Sequence, residues 1–226
     1  MIRIAFYMIG LLLFPLQSGA QQVTAVPPEK PDPAKHYLFY MHGLAVETRG
    51  PNVRHPRYDN ADHQGVVEAL AKKGFHVIAE LRSAGTNPVE YAQKVAGQVR
   101  TLLDAAVPAA NIVVTGFSKG GSITIATAAV LDNPAVRFVV MAGCGIGPFA
   151  DNFARQVEAD GPKLKGRMLS LYEAADREGG SCQAAFAKAG PDLVASEKVL
   201  DTGAGHGLFF RPQAVWIDAV ADWAMR

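Results

Sequence analysis

The sequence has few of the features that mark several classes of protein. Only two of its 226 residues are cysteines, and no cluster of Cys and His has the spacing of a zinc site. Its 22 Lys and Arg nearly balance its 21 Asp and Glu, so charge gives no case for binding nucleic acid or a membrane surface. We therefore expect no metal, no other cofactor and no nucleic-acid partner.

Long apolar runs are also missing, apart from one near the start. Residues 1–20 combine Arg3, an apolar stretch interrupted by Pro15, and small residues before Gln21. The stretch is too short for a membrane span, and its layout is typical of a secretory signal peptide. The sequence predicts cleavage and an exported protein, periplasmic or secreted, with no membrane span in the mature chain. An uncleaved anchor is the alternative.

The rest of the chain divides into an arm and one domain. Residues 21–35 carry four prolines and are expected to form an extended arm over the surface. Residues 36–226 have the length of one globular domain. Within it, apolar segments alternate with helical ones, which predicts an α/β fold with a mostly parallel sheet of about six strands and helices on both faces.

The expected elements follow from hydrophobic periodicity and from glycine and proline stops. The expected strands are residues 36–41, 75–81, 112–115, 136–142, 167–172 and 196–200. The expected helices are residues 61–74, 88–106, 123–131, about 149–158 and 211–225, and residues 45–60 are expected to form a long loop.

The stretch Gly116-Phe117-Ser118-Lys119-Gly120 stands between an expected strand and an expected helix. Glycines two residues before and after Ser118 permit a tight, strained turn that lifts its hydroxyl above the strand end. The amides of the following helix point at the same place, where they would stabilise an oxyanion. This context is the one that the G-x-S-x-G nucleophile elbow requires.

Polar residues also follow the other expected strands. Ligands bind at the carboxyl ends of the strands in open parallel sheets, so these residues are candidates for one site. They are His42, Arg82, Ser83, Ser118, Glu173, Asp176, Asp201 and His206. A serine, an acid and a histidine in that order match one known order of the catalytic triad.

These motifs resemble those of the α/β-hydrolase family, and its small, single-domain esterase and dienelactone-hydrolase-like members in particular. The resemblance spans the domain from residue 36 to 226. It is carried by the strand ending in His42-Gly43, the elbow around Ser118, an acid after the fifth expected strand, and Gly203-Ala204-Gly205-His206 after the last one.

The resemblance implies a role for each matching residue. Ser118 would be the nucleophile, His206 the general base and Asp176 the acid that orients the histidine ring. The backbone amides of Leu44 and Lys119 would form the oxyanion hole. The implied activity is cleavage of a carboxylic ester, or a related acyl bond, of a small molecule through an acyl-enzyme. An acyltransferase and a binding protein without turnover on the same fold are the alternatives.

Three residues compete for the place of the acid. Asp176 stands four residues after Tyr172, which leaves room for a turn that brings its carboxylate back to His206. Glu173 follows the strand directly and is expected to cap the turn or to face the site. Asp201 lies in the histidine's own loop and is expected to bond loop amides.

Other polar residues near these motifs have structural explanations. We expect His42 to bond loop backbone, and the Lys119 side chain to lie in solvent or in a salt bridge. The three arginines of the long loop are expected to form a solvated face, with contact to an anionic substrate group as the alternative. They are Arg49, Arg54 and Arg57.

The two cysteines, Cys144 and Cys182, are expected to form a disulfide. Export would place them in an oxidising compartment, and each follows one of two strands that are expected to be neighbours. Two free thiols are the alternative. The sequence leaves the oligomeric state open.

Overall fold

The computed structural model of the protein describes residues 23–58 and 60–226. The predicted signal peptide, residues 1–20, lies outside the described residues. Within the described ranges, no helix has the length and apolar character needed to cross a bilayer.

A parallel sheet of seven strands forms the centre of the domain, in the order β1-β3-β2-β4-β5-β7-β9. Two further strands, β6 and β8, form a short antiparallel pair. In chain order the strands are β1 (Val23–Thr24), β2 (His36–Met41), β3 (Phe75–Ile78), β4 (Ile112–Phe117), β5 (Arg137–Met141), β6 (Cys144–Gly145), β7 (Gly166–Glu173), β8 (Gly179–Gly180) and β9 (Leu193–Leu200).

Helices cover both faces of the sheet. In chain order they are α1 (Leu44–Arg49), α2 (His63–Lys72), α3 (Pro88–Asp104), α4 (Lys119–Leu131), α5 (Ala150–Asp160), α6 (Gln183–Lys188) and α7 (Ala214–Met225). Helices α3, α4, α5 and α6 contribute to one apolar core and α2 and α7 to the other. The mostly parallel α/β fold expected from the sequence is confirmed.

The central strands are buried on both faces because their side chains alternate between the two cores. Along β2, Tyr37 and Phe39 pack into the α3–α4 core, whereas Leu38 and Tyr40 pack into the α2–α7 core. Each such side chain contributes about 1.5–3 kcal/mol through burial. Nearly continuous apolar runs are therefore required in these strands.

The structure differs from the expected elements mainly at the edges of the sheet. Val23–Thr24 of the proline-rich arm pairs in parallel with β3, which adds a seventh strand. The strand expected at 196–200 begins at Leu193, because an edge strand alternates exposed and half-buried residues and lacks a continuous apolar run. The strand expected at 75–81 ends at Ile78.

The structure contains two short helices that the sequence did not predict. Helix α1 occupies the start of the loop expected at 45–60, and α6 follows Cys182. Each has only six residues, which is less than two turns, so neither shows a clear helical period in the sequence.

Candidate active site

Ser118 lies at the sharp turn between β4 and α4. Its backbone has φ 55° and ψ −120°, a conformation that is strained for any residue with a side chain. A Cβ atom on Gly116 would collide with the carbonyl of Gly120, and one on Gly120 would collide with the carbonyl of Met41. The two glycines of the motif are therefore required by close backbone approach.

The structure brings Ser118, His206 and Asp176 together. The Ser118 Oγ lies 2.9 Å from the His206 Nε2, and the Asp176 Oδ2 lies 2.8 Å from the His206 Nδ1. A carboxylate only accepts hydrogen bonds, so the proton of the neutral ring lies on Nδ1 and Nε2 is left to accept the serine proton. His206 and Asp176 are both buried.

The second oxygen of Asp176 fixes the loop that carries it. Asp176 Oδ1 accepts hydrogen bonds from the amides of Glu178, at 2.8 Å, and Gly179, at 3.1 Å. Both carboxylate oxygens are therefore engaged, and the side chain cannot turn away from His206 without losing backbone contacts.

Glu173, the second candidate acid, bonds backbone rather than the histidine ring. It accepts hydrogen bonds from the amides of Ala175, Thr202, Gly203 and Gly205 at 2.7–3.1 Å. Burial raises the pKa of this carboxyl, but the four amides outweigh that effect and the net pKa is lowered. Glu173 thereby ties the loop after β7 to the loop that carries His206.

Asp201, the third candidate, is exposed. The loop amides expected to bond Asp201 bond Glu173 instead. Glu173 is nearer to them in space because β7 and β9 are neighbours, with Glu173 opposite Leu200.

The two candidate oxyanion donors each begin a helix. Leu44 is the first residue of α1 and Lys119 the first residue of α4, and the first amides of a helix have no acceptor within it. Gly43 lies against the elbow, since a Cβ placed on it would be 3.3 Å from the Ser118 Cβ. Both helices thus begin beside Ser118.

His42 bonds loop backbone, as expected from the sequence. Its Nε2 accepts the Arg82 amide at 2.9 Å, so its Nδ1 carries the proton and donates it to the Gly43 carbonyl at 3.0 Å. Burial, followed by the nearby charge of Arg82, lowers the pKa of His42 to about 3. The ring is therefore neutral at ordinary pH.

A charged cluster lies next to His42 and is formed by Glu47, Arg82 and Lys119. The side chains of Glu47 and Arg82 are buried, and that of Lys119 is partly exposed. Glu47 Oε2 accepts from Arg82 Nε at 3.1 Å, and Glu47 Oε1 accepts from Lys119 Nζ at 2.5 Å. Lys119 Nζ also donates to the Thr86 carbonyl at 2.8 Å. Sequence reasoning missed Glu47, because its partners stand 35 and 72 residues further along the chain.

A second acidic residue that the sequence did not single out lies near the histidine nitrogen that faces Ser118. Glu178 Oε2 is 4.0 Å from the His206 Nε2. Its Oε1 accepts from the Tyr58 hydroxyl at 2.6 Å and from Arg57 at 3.0 Å. Burial and the hydrogen bond to Glu178 raise the pKa of Tyr58 to about 12, so the phenol keeps its proton. Arg57 is mostly exposed.

The expected disulfide between Cys144 and Cys182 is present, with the two Cα atoms 5.3 Å apart. Beside it, β6 pairs with β8, and the Ile146 amide donates to the Glu178 carbonyl at 3.0 Å. The bridge and this short pair brace the segment that begins with Asp176.

No protein-family model matches this chain, and no curated protein matches it in sequence. Solved structures do resemble it. A monoacylglycerol lipase from Paleococcus ferrophilus is 17% identical with a TM-score of 0.56, over 88% of this chain and 96% of that one. SOBER1 from Arabidopsis thaliana is 15% identical with a TM-score of 0.53, over 84% and 98%.

Acetyl xylan esterase 1 from a Thermoanaerobacterium species is 13% identical with a TM-score of 0.53, over 88% of this chain and 76% of that one. At such identities the likeness concerns the fold. Together with the order of the strands, it shows that this chain has the α/β-hydrolase fold.

Proposed function

We propose that the chain is an exported serine hydrolase that cleaves a carboxylic ester, or a related acyl bond, of a small molecule. The observation that carries the proposal is the unbroken chain of contacts from Ser118 Oγ through His206 to Asp176, at 2.9 and 2.8 Å. The structural neighbours include a lipase and an esterase, which is in line with the proposal.

In the proposed reaction, Ser118 Oγ attacks the acyl carbon while His206 Nε2 takes the serine proton. Asp176 holds the ring in the tautomer that leaves Nε2 free. The amides of Leu44 and Lys119 stabilise the negative charge on the carbonyl oxygen. His206 then returns the proton to the departing alcohol, which leaves an acyl-serine.

Deacylation repeats these steps with water as the nucleophile. Water attacks the acyl carbon, His206 takes one of its protons, and the acid leaves as Ser118 recovers a proton. The disulfide supports export, because such bonds persist in oxidising compartments.

Residues 21–226 can be tested with p-nitrophenyl esters of increasing chain length and with a fluorophosphonate probe. We expect hydrolysis and labelling of the wild type, and a loss of several orders of magnitude in kcat for Ser118→Ala. Ser122→Ala is a matched control, since that hydroxyl bonds Gln156 instead. Near-normal turnover in folded Ser118→Ala would contradict the proposal.

The same experiment separates the alternatives. A binding protein without turnover would show neither hydrolysis nor labelling. An acyltransferase would be labelled, but its acyl-enzyme would be hydrolysed slowly, and a second alcohol would speed turnover by taking the acyl group as a new ester.

A further inference from the structure

The proposed oxyanion hole draws its two amides from separate helices. Leu44 begins α1 and Lys119 begins α4. An oxyanion hole works only if both amides stay within hydrogen-bond reach of the same oxygen. The position of α1 relative to α4 therefore decides whether this hole exists.

We propose that Glu47 is a positioning residue that holds the oxyanion hole together. Glu47 lies in the first turn of α1 and bonds the Lys119 side chain on α4, so one contact at 2.5 Å joins the two helices that supply the amides. The inference rests on the proposed function, because it concerns the same site.

A second contact ties Glu47 to the strand that leads into α1. Arg82 bonds Glu47 Oε2 at 3.1 Å and also donates to the carbonyl of His42, the residue after β2. The two oxygens of Glu47 are thus divided between Arg82 and Lys119. Neither oxygen is free to compensate if the other contact is lost.

The orientation of the Leu44 amide is fixed as well. The Gly43 carbonyl accepts hydrogen bonds from His42 Nδ1, at 3.0 Å, and from the Glu47 amide, at 3.3 Å. In a trans peptide the N–H points away from the C=O of the same plane. The Leu44 N–H therefore points away from His42 and from the interior of α1.

Stability alone is a poor explanation for the cluster. The side chains of Glu47 and Arg82 are fully buried, and buried ion pairs gain little over apolar packing once desolvation is counted. Arg82 Nη1 is also without a hydrogen-bond partner among the described residues. In contrast, the cluster joins the two elements that carry the proposed oxyanion amides, because Glu47 on α1 bonds Lys119 on α4.

Two substitutions test the proposal. Glu47→Gln keeps the shape but turns an N–H group toward one of the two cations. Lys119→Met removes the link between the helices and leaves the Arg82–Glu47 pair intact. Lys94→Met is the matched control, because it breaks another Lys–Glu pair, with Glu80, that lies at the surface.

Steady-state kinetics on a p-nitrophenyl ester give the first measurement. Loss of one oxyanion donor typically lowers kcat about 10²–10³-fold. For a displaced donor we expect about a 10- to 100-fold loss of kcat in both variants, with KM within about threefold of the wild-type value. Lys94→Met should match the wild type.

A thionoester, in which sulfur replaces the carbonyl oxygen, separates positioning from a general structural defect. Sulfur is larger and accepts hydrogen bonds weakly, so an intact hole should favour the oxygen ester strongly. We expect the ester-to-thionoester ratio of kcat/KM to fall at least about fivefold in both variants. A merely structural role would lower both rates equally and leave the ratio unchanged.

The inference is overturned if the folded variants keep either the wild-type kcat or the wild-type ratio. It is also overturned if neither variant folds, since the cluster would then be structural. If only Glu47→Gln fails to fold, the kcat and the ester-to-thionoester ratio of Lys119→Met decide whether the proposal stands. Failure of the proposed function itself would look different, because the wild type would show neither ester hydrolysis nor fluorophosphonate labelling.

Discussion

The two sides of Ser118 are built by different kinds of contact. On the histidine side, formed by the loops after β7 and β9, Asp176 and Glu173 accept hydrogen bonds from neutral groups, an imidazole and backbone amides. On the oxyanion side, formed by α1, Arg82 and the start of α4, one buried carboxylate lies between two cations. The histidine side depends on the direction of its hydrogen bonds, and the oxyanion side depends on the balance of charge between the carboxylate and the two cations.

This difference predicts how each side responds when a carboxylate is replaced by an amide. On the histidine side, an amide in place of a carboxylate presents a donor to a donor at one defined atom. On the oxyanion side, the same replacement leaves a buried cation without its counter-charge. Substitutions that keep shape and remove charge should therefore affect ring orientation on one side and helix position on the other.

The largest effect is expected for Asp176→Asn. The asparagine amide would favour the tautomer with the proton on Nε2, so His206 could no longer accept the Ser118 proton. We expect kcat to fall about 10³–10⁴-fold with little change in stability. Steady-state kinetics and thermal unfolding on the same preparation measure both quantities.

Asp201→Asn is the matched control for that substitution, because Asp201 is an exposed acid in the histidine loop. It should keep wild-type kcat. If Asp176→Asn retained most activity, the 2.8 Å contact to His206 would have no catalytic role, and the proposed division between the two sides would fail.

The residues of the histidine side and the two candidate amides of the oxyanion side were predictable from the sequence, whereas the cluster around Glu47 was not. Ser118, Asp176 and His206 each follow a strand, and parallel strands bring their carboxyl ends to one edge of the sheet. Glu47 carries no such signal. It stands in an expected loop, and its burial depends on Arg82 and Lys119, whose approach only the folded structure defines.

The disulfide lies on the histidine side, and we expect its removal to affect the geometry of that side only. Replacing Cys144 and Cys182 by serine opens a link between residues 38 positions apart, which corresponds to about 4 kcal/mol in the chain-entropy model. Urea unfolding should show a loss approaching that size. The segment that begins with Asp176 would also loosen, so we expect kcat to fall a few-fold.

The ester-to-thionoester ratio of this double variant distinguishes the two sides. It should stay at the wild-type value, because the bridge joins the segments after β5 and β7 and is not part of the cluster of Glu47, Arg82 and Lys119. A lower ratio would show that the two sides are coupled and do not act independently.

A smaller effect is expected for Glu173→Gln. The glutamine keeps one acceptor oxygen but presents an N–H group to amides that are themselves donors. Because hydrogen bonds to charged groups contribute about 1.5–3 kcal/mol each, we expect a loss of about 2–3 kcal/mol in the free energy of unfolding. Activity should fall about tenfold or less, since Asp176 still holds His206. A kcat loss as large as that of Asp176→Asn would mean that the two acids have exchanged roles.

The smallest expected effect is a loss of stability at acid pH, and it tests the oxyanion side. Burial, followed by the charge of Arg82, lowers the pKa of His42 to about 3 and that of His63 to about 4. The unfolded chain protonates both near their ordinary value of 6.5. Between these values the unfolded state binds more protons, so the free energy of unfolding falls as the pH falls from about 6.5 toward 4.

His63→Phe removes one of these groups and keeps a ring beside Tyr40 and His42. Since one pKa unit corresponds to about 1.4 kcal/mol, this variant should lose about 1–2 kcal/mol less than the wild type between pH 7 and pH 5, by urea unfolding. His55→Phe, at a half-buried histidine, should change this pH-dependent loss of stability less than His63→Phe does. The Glu173 carboxyl, whose pKa lies below its ordinary 4.5, contributes stability that is lost only at lower pH. If His63→Phe lost as much as the wild type over this range, His63 would not contribute to the acid sensitivity.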